Sequence, residues 1–253
     1  MRPSRTRHIA LAALLGCLVA TPACAAPPAQ STAAAIVADP ARPAEDRALD
    51  ASRHPAELLD LLKLRPGQTV ADVWPGDYWD RLFAAAVGPT GKVYAVHLAE
   101  ADAGEHKTPP PEGSKPLPDH ANVTATIAHT NTFALPSKAD VIWMRQNYHD
   151  LYDKFVGPAD VPAFNKGVYQ ALKPGGRFVI IDHAAPDGSG IAATDTTHRI
   201  DPAVVKKDMA AAGFKFVGES KVLRNPADDR TKLVFDPSVR GKTDQFVYVF
   251  QRP

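Results

Sequence analysis

The stretch Thr69-Val70-Ala71-Asp72-Val73 is a short apolar run that predicts a buried β-strand. A loop over residues 74–77 and a helical segment through 82–85 follow it. The turn 88–91, Gly-Pro-Thr-Gly, then leads into a second apolar run over 92–96. Strand, helix and strand in this order predict a parallel β-α-β unit.

The same alternation continues outward from this unit. Five further strands are predicted, over residues 123–127, 140–144, 177–182, 214–223 and 245–250. Helices are predicted over 55–62, 163–172 and 202–212, and a long surface loop over 101–120. The pattern predicts an α/β domain over 44–253, built on a single doubly wound, mostly parallel seven-stranded sheet with helices on both faces. Ligands of such sheets bind at the carboxyl ends of the strands.

The first 26 residues have the composition of an export signal. Three arginines and no acidic residue stand among the first seven residues, and an apolar run of 12 residues follows over 9–20. This run is shorter than the roughly 20 residues that span a bilayer as a helix, and small residues follow it. We therefore predict a cleavable signal peptide over 1–26, a periplasmic or secreted mature protein, and no transmembrane segment. The alternative is a lipoprotein anchored at Cys17, because residues 14–17 are similar to a lipobox.

Composition narrows the possible partners of the mature chain. Both cysteines, Cys17 and Cys24, lie in the predicted signal, so no disulfide, thiolate metal site or cysteine nucleophile is expected. The full chain has 29 basic and 28 acidic residues, and loss of the three N-terminal arginines leaves 26 against 28. This balance predicts no nucleic-acid partner. Residues 27–43 are rich in Pro, Ala, Ser and Thr and predict a flexible linker.

Several short motifs follow the predicted strands. They are Tyr148-His149-Asp150-Leu151, Asp182-His183, His198-Arg199-Ile200-Asp201 and Gly241-Lys242-Thr243-Asp244-Gln245-Phe246. With them the chain resembles S-adenosylmethionine-dependent methyltransferases of the Rossmann-like kind, and more closely a family of exported bacterial predicted methyltransferases. The resemblance covers about residues 47–253. It implies a Rossmann-like methyltransferase fold, S-adenosylmethionine as cofactor, and methyl transfer to a small-molecule or unknown acceptor.

The resemblance also implies where the cofactor lies. The implied contacts are Asp72, Trp74, Gly76, Tyr78 and His97. Of the three glycines usual in this loop only Gly76 is present, and Asp77 stands where glycine is expected. His97 occupies the place of an acidic residue, and it cannot accept hydrogen bonds from two ribose hydroxyls as a carboxylate does. The loop is thus degenerate, and a domain that kept the fold but lost the cofactor is an open alternative.

Polar side chains cluster after the fourth and fifth strands. His149 and Asp150 follow the fourth strand, His183 follows the fifth, and a loop of small residues leads to His198. We predict these four as catalytic residues, with a histidine as general base and an aspartate orienting its ring. Neighbouring strand ends open on one crevice. We therefore expect the three histidines to line one pocket beside Gly76, with at least one of them hydrogen-bonded to Asp150, Asp182 or Asp201.

The same cluster has other interpretations. Three histidines with nearby carboxylates could hold a divalent metal, but their spacing matches no recognised ligand motif, so no metal ligand is predicted. A non-catalytic binding domain of the cell envelope is the third possibility. Asp150 could simply cap the following helix, and Asp201 directly before Pro202 has the pattern of an N-cap.

Overall fold

The computed structural model describes residues 32–157 and 159–253. The predicted signal peptide over 1–26 and the alternative anchor at Cys17 lie outside these residues. None of the helices in the two described ranges combines the length and the apolar composition that a membrane span requires.

Seven strands form one sheet in the order β3-β2-β1-β4-β5-β7-β6. They are β1 Thr69–Val73, β2 Lys92–Leu98, β3 Val123–Ala128, β4 Ala139–Arg145, β5 Leu172–His183, β6 Lys215–Ser220 and β7 Gln245–Gln251. The first five strands pair in parallel, and β7 runs antiparallel to both of its neighbours. The predicted fold class, a mostly parallel α/β sheet, is therefore confirmed.

Eight α-helices surround the sheet in the described chain. They are α1 Ala33–Val37, α2 Ala44–Arg53, α3 Pro55–Leu62, α4 Asp77–Val87, α5 Ala99–Gly104, α6 Val161–Ala171, α7 Thr194–Thr197 and α8 Pro202–Ala211. The apolar residues of α1, α3 and α4 form one core with one face of the sheet. Those of α5, α6 and α8 form a second core with the opposite face. The helices therefore cover both faces, as predicted.

Strand β1 shows why the central strands read as continuous apolar runs. Every residue of β1 is buried, with Val70 in one core and Ala71 and Val73 in the other. A parallel strand covered on both faces has no solvent side, so apolar side chains point to both faces, and the buried Thr69 and Asp72 are the polar exceptions in β1. On the α4 face the cover is aromatic, because Trp79 contacts Trp143 of β4 with ring centroids 4.8 Å apart.

Several segments differ from the sequence prediction, including helices α2 and α7, which were not predicted. Residues 33–37, predicted as part of the flexible linker, form helix α1, and Ala33 and Ile36 are buried in the core that contains α3. The side chain of Thr32 caps this helix by accepting the Ala35 N–H at 3.1 Å. A short alanine-rich helix resembles a low-complexity linker in composition, which is why the prediction was wrong there. The predicted loop over 101–120 likewise begins inside α5.

Candidate functional site

A cavity of about 400 Å³ opens at the carboxyl ends of β1, β4 and β5. Its wall is formed by the loop after β1, the segment after β4, the end of β5 and the residues that follow α7. The lining side chains include Trp74, Gly76, Arg145, Gln146, His149, Asp150, His183, His198 and Phe235. The cavity thus lies at the sheet edge where ligands of doubly wound folds bind.

The three histidines meet in this cavity. His149, His183 and His198 all line it together with Gly76. The ring centroid of His149 lies 5.3 Å from that of His198 and 6.2 Å from that of His183. Nδ1 of His149 also lies 2.8 Å from Asp182 Oδ1. The geometric prediction of one shared pocket, with a histidine bonded to an aspartate, is confirmed.

His149 lies between two carboxylates. Its Nδ1 contacts Asp182, and its Nε2 lies 3.1 Å from Asp150 Oδ1. Burial alone would lower the pKa of His149, but the two carboxylates outweigh burial and raise it to about 10. Burial alone would raise the pKa of Asp150, but hydrogen bonds from His149 and His198 outweigh burial and lower it to about 2. At neutral pH both ring nitrogens of His149 are therefore protonated, and the ring cannot accept a further proton.

His198 completes the cluster from the other side of the cavity. Its Nδ1 lies 3.2 Å from His149 Nε2 and 3.5 Å from Asp150 Oδ1. The residue ends α7 in the left-handed conformation, with φ of 52°, which non-glycine residues rarely adopt. Its ring also packs against that of Phe235, at 5.2 Å between centroids. The backbone is thus held in an unusual conformation where it brings this ring to the cluster.

His183 has a different environment from its two neighbours. Burial, together with the positive charges of His149, Arg145 and Arg199, lowers the pKa of His183 well below its ordinary value. Its Nδ1 lies 2.7 Å from the Thr243 hydroxyl oxygen. His183 is therefore a neutral ring at physiological pH.

The loop after β1 brings a buried acid to the cavity. Asp72 lines the cavity, and its Oδ2 is buried without a hydrogen-bond partner among the described residues. Burial, with the charge of Asp80, raises the pKa of Asp72 well above its ordinary value. Positive φ in this loop occurs at Trp74, at 65°, whereas Gly76 is extended with φ of −141°. Gly76 therefore does not adopt the positive φ that favours glycine.

Two of the predicted cofactor contacts do not line the cavity. The hydroxyl of Tyr78 donates to Asp50 Oδ1 at 2.6 Å, because this side of α4 faces α2. His97 points to Asp102, with 3.2 Å between Nδ1 and Oδ2. The position of α2 relative to α4 is set by tertiary packing, so no local sequence pattern indicates which side of the first turn of α4 faces the cavity.

Among the lining residues that were not predicted as candidates are Arg145, Arg53 and Phe235. Arg145 ends β4 and its position at a strand end was a usable signal. Arg53, at the end of α2, and Phe235, in the segment before β7, reach the cavity only through the tertiary fold. Neither of these two carries a local sequence pattern that indicates such a role.

Some of the motif residues stabilise the wall rather than line it. Arg199 forms a fully buried ion pair with Asp228, at 2.8 Å, and also donates to the Ala184 carbonyl oxygen. Asp201 caps α8 by accepting the Ala203 N–H at 2.9 Å, as its sequence pattern predicted. Asp244 accepts from Arg224 and forms an ion pair with Arg230. These contacts hold the segments around His198 and Thr243 in place.

Comparisons with known proteins agree with this fold. No family model matches the sequence, and no curated protein matches it. A S-adenosylmethionine-dependent methyltransferase from Aquifex aeolicus superposes with a TM-score of 0.52 at 20% identity, over 84% of this chain and 99% of that one. The N-methyltransferase NodS from Bradyrhizobium japonicum WM9 gives 0.51 at 12% identity, over 83% of this chain and 99% of its own.

A third structure, a S-adenosylmethionine-dependent methyltransferase from Mesorhizobium loti, gives a TM-score of 0.50 at 16% identity. It covers 81% of this chain and 100% of its own. Identities this low establish the fold and leave the activity to be argued from the site. The chain has the Rossmann-like fold found in S-adenosylmethionine-dependent methyltransferases.

Proposed function

We propose that this protein is a S-adenosylmethionine-dependent methyltransferase that acts on a small molecule bound in the cavity. The observation that supports this best is a pair of unsatisfied polar groups in the cavity wall, one from an acidic and one from a basic side chain. Asp72 Oδ2 and Arg145 Nε are both buried without a hydrogen-bond partner in the described part of the chain. A buried polar group without a partner is costly, so a ligand that satisfies both is favoured.

An amino-acid group fits this pair. The ammonium of a methionine moiety can donate to Asp72, and its carboxylate can accept from Arg145. Arg53 also lines the cavity and adds a second positive charge. Helix α4 begins directly after Gly76, and no side chain caps it, so its first backbone N–H groups are open to a carboxylate. When bound, S-adenosylmethionine supplies an electrophilic methyl group.

The ribose end fits less well. His97 is engaged with Asp102, and Glu100 accepts the Thr130 N–H at 3.0 Å and contacts His129. Neither of these acids lines the cavity. The ribose hydroxyls would therefore have no carboxylate partner of the kind usual in this fold. For this reason we expect weaker cofactor affinity than an intact site gives.

His183 is the proton acceptor that we assign to the reaction. It lines the cavity, and its Nδ1 is occupied by Thr243, so Nε2 is the nitrogen left to contact a ligand. A neutral imidazole can accept the proton that an attacking hydroxyl or amine loses. His149 suits this role less well, since its two ring nitrogens face carboxylates.

Calorimetry of the folded chain with S-adenosylmethionine tests the proposal. We expect one molecule bound per chain, and an affinity at least about tenfold lower in Arg145→Leu, because a charged hydrogen bond contributes about 1.5–3 kcal/mol. Arg65→Leu is the matched control. Arg65 is exposed in the turn before β1, at the amino ends of the parallel strands and so opposite the cavity. Absence of binding by the folded wild type at millimolar ligand would leave the non-catalytic binding domain as the better account.

The charged, apolar and small-residue order at the start of the sequence supports a location outside the cytoplasm. We propose that the mature chain begins near Ala26 or Pro27. N-terminal sequencing of protein from its native host tests this, and an acylated Cys17 would replace it with the lipoprotein alternative.

A further inference from the structure

Four side chains beside the cavity bring possible metal ligands together. His149, Asp150, Asp153 and His198 each place one ligand atom within 4.8 Å of the others. We infer that these four residues form a binding site for a divalent transition-metal ion of the zinc class. These residues are distinct from the proposed cofactor contacts Asp72 and Arg145, although three of them line the same cavity, and the inference does not depend on methyl transfer.

The geometry of three of the ligand atoms matches tetrahedral coordination. The separations are 3.1 Å between His149 Nε2 and Asp150 Oδ1, 3.2 Å between His149 Nε2 and His198 Nδ1, and 3.5 Å between His198 Nδ1 and Asp150 Oδ1. In a tetrahedral zinc site with bonds of about 2.0–2.1 Å, ligand atoms lie ~3.3 Å apart. The three atoms are thus already spaced as the edges of such a site.

Asp153 provides a second, independent observation. Only 3% of this residue is exposed, and neither of its carboxylate oxygens has a hydrogen-bond partner in the described structure. The nearby Thr194 hydroxyl donates instead to the Ile191 carbonyl oxygen, at 3.1 Å. An aspartate buried with both oxygens free is costly unless a cation satisfies it. The carboxylate lies within reach of the other three ligand atoms.

Asp182 prepares His149 for this role. Nδ1–H of His149 donates to Asp182 Oδ1 at 2.8 Å, which leaves Nε2 directed at the cluster. A carboxylate behind a ligand histidine fixes the tautomer and the ring orientation, and it is a recurrent feature of metal sites. Two histidines and two aspartates also balance the charge of a dication. His198, the most exposed of the four, gives access from the cavity.

The competing account is an ion pair in which a proton on His149 joins Asp150 and His198. That account uses three of the residues and gives no role to Asp153. Asp153→Asn therefore distinguishes the two accounts, because the amide keeps the size of the side chain and removes the charge. His198→Ala removes a ligand outright. His129→Ala is the matched control, since His129 is an exposed histidine paired with Glu100.

The test measures zinc bound by the full chain, by elemental analysis after dialysis and by competition with a chromophoric chelator. We expect one Zn²⁺ per wild-type chain, with affinity unchanged in His129→Ala. We expect affinity to fall at least about tenfold in Asp153→Asn, and further in His198→Ala, since even residues behind the ligands contribute 10–100-fold. Circular dichroism checks folding, and Asp153→Asn decides the question if His198→Ala does not fold.

Two results would overturn the assignment. One is a folded wild-type chain that binds no zinc at equimolar concentration. The other is zinc affinity unchanged in both Asp153→Asn and His198→Ala, which would place the ion elsewhere. Neither result depends on S-adenosylmethionine, so failure of the metal site and failure of the proposed activity are separable.

Discussion

Asp182 binds His149 through both of its carboxylate oxygens. Oδ1 lies 2.8 Å from Nδ1 of the ring, and Oδ2 accepts the backbone N–H of the same residue at 2.8 Å. Both residues are buried. The contact joins the end of β5 to the segment after β4, so it fixes the ring and its backbone at once.

Removing this carboxylate is expected to destabilise the fold. Asp182→Ala should lower the free energy of unfolding by about 3–5 kcal/mol, since it leaves the ring Nδ1–H and the backbone N–H of buried His149 without their acceptor. Urea denaturation measures this. Asp195→Ala is the control, because Asp195 is exposed on α7, and its effect should stay within about 0.5 kcal/mol. Equal effects of the two substitutions would contradict a structural role for Asp182.

A buried acid in α4 makes stability depend on pH. Burial, with the charge of Asp77, raises the pKa of Asp80 from 3.8 to about 8. Between these two values the folded state holds a proton that the unfolded state has lost, so stability falls as pH rises from about 4 to about 8. Asp80→Asn should remove that loss.

We therefore expect Asp80→Asn to match the wild type near pH 4 and to exceed its free energy of unfolding by an amount that grows up to pH 8, by at most about 1.4 kcal/mol for each pH unit. Urea denaturation at pH 4, 6 and 8 measures the difference. A difference that does not grow with pH would show that Asp80 is ionised in the folded state.

The buried ion pair next to His198 in the sequence should contribute more to the free energy of unfolding than an exposed ion pair in the same region. Arg199 and Asp228 are fully buried, and Asp228→Ala should cost about 3–5 kcal/mol by leaving the guanidinium uncompensated. Asp187 pairs with Arg230 but its side chain is 91% exposed, so Asp187→Ala should cost less than about 1 kcal/mol. Thermal or urea unfolding of the two variants tests this order, and similar costs would refute it.

The fold and the meeting of the histidines could be predicted because both follow from strand positions. The apolar runs locate the strands. His149 follows β4 and His183 ends the neighbouring strand β5, and the carboxyl ends of the two strands must share an edge. Side-chain direction within α4 could not be predicted in this way. Tyr78 points to Asp50 because α2 packs there, a contact between residues 28 positions apart that no local pattern records.

The sequence also left the metal ligands undefined. Asp153 lies in no recognised motif, and its importance comes from burial without a hydrogen-bond partner, which only tertiary structure reveals. The short helix α1 was missed for a related reason. Three of its five residues are alanine, a good helix former, but so short a helix is stable only when packed, here with Ala33 and Ile36 buried in the core that contains α3.

Two glycines allow a matched test of where the proposed cofactor sits. A Cβ added at Gly76 or at Gly218 would meet no atom within 4 Å, and neither residue has a positive φ. Both Gly76→Val and Gly218→Val should therefore fold, with free energies of unfolding within about 1 kcal/mol of the wild type. Gly76 lines the cavity at the start of α4, whereas Gly218 lies on the edge strand β6.

The added side chain at position 76 should occupy space that the ligand needs. We expect the affinity for S-adenosylmethionine to fall at least about tenfold in Gly76→Val, because a ligand approaching the free N–H groups of α4 must pass close to this backbone. Gly218→Val should bind like the wild type. Calorimetry of both variants measures the difference. Binding that survives Gly76→Val in a folded protein would place the ligand away from this loop. Because both variants are expected to fold, reduced affinity in Gly76→Val alone could not be attributed to a loss of stability.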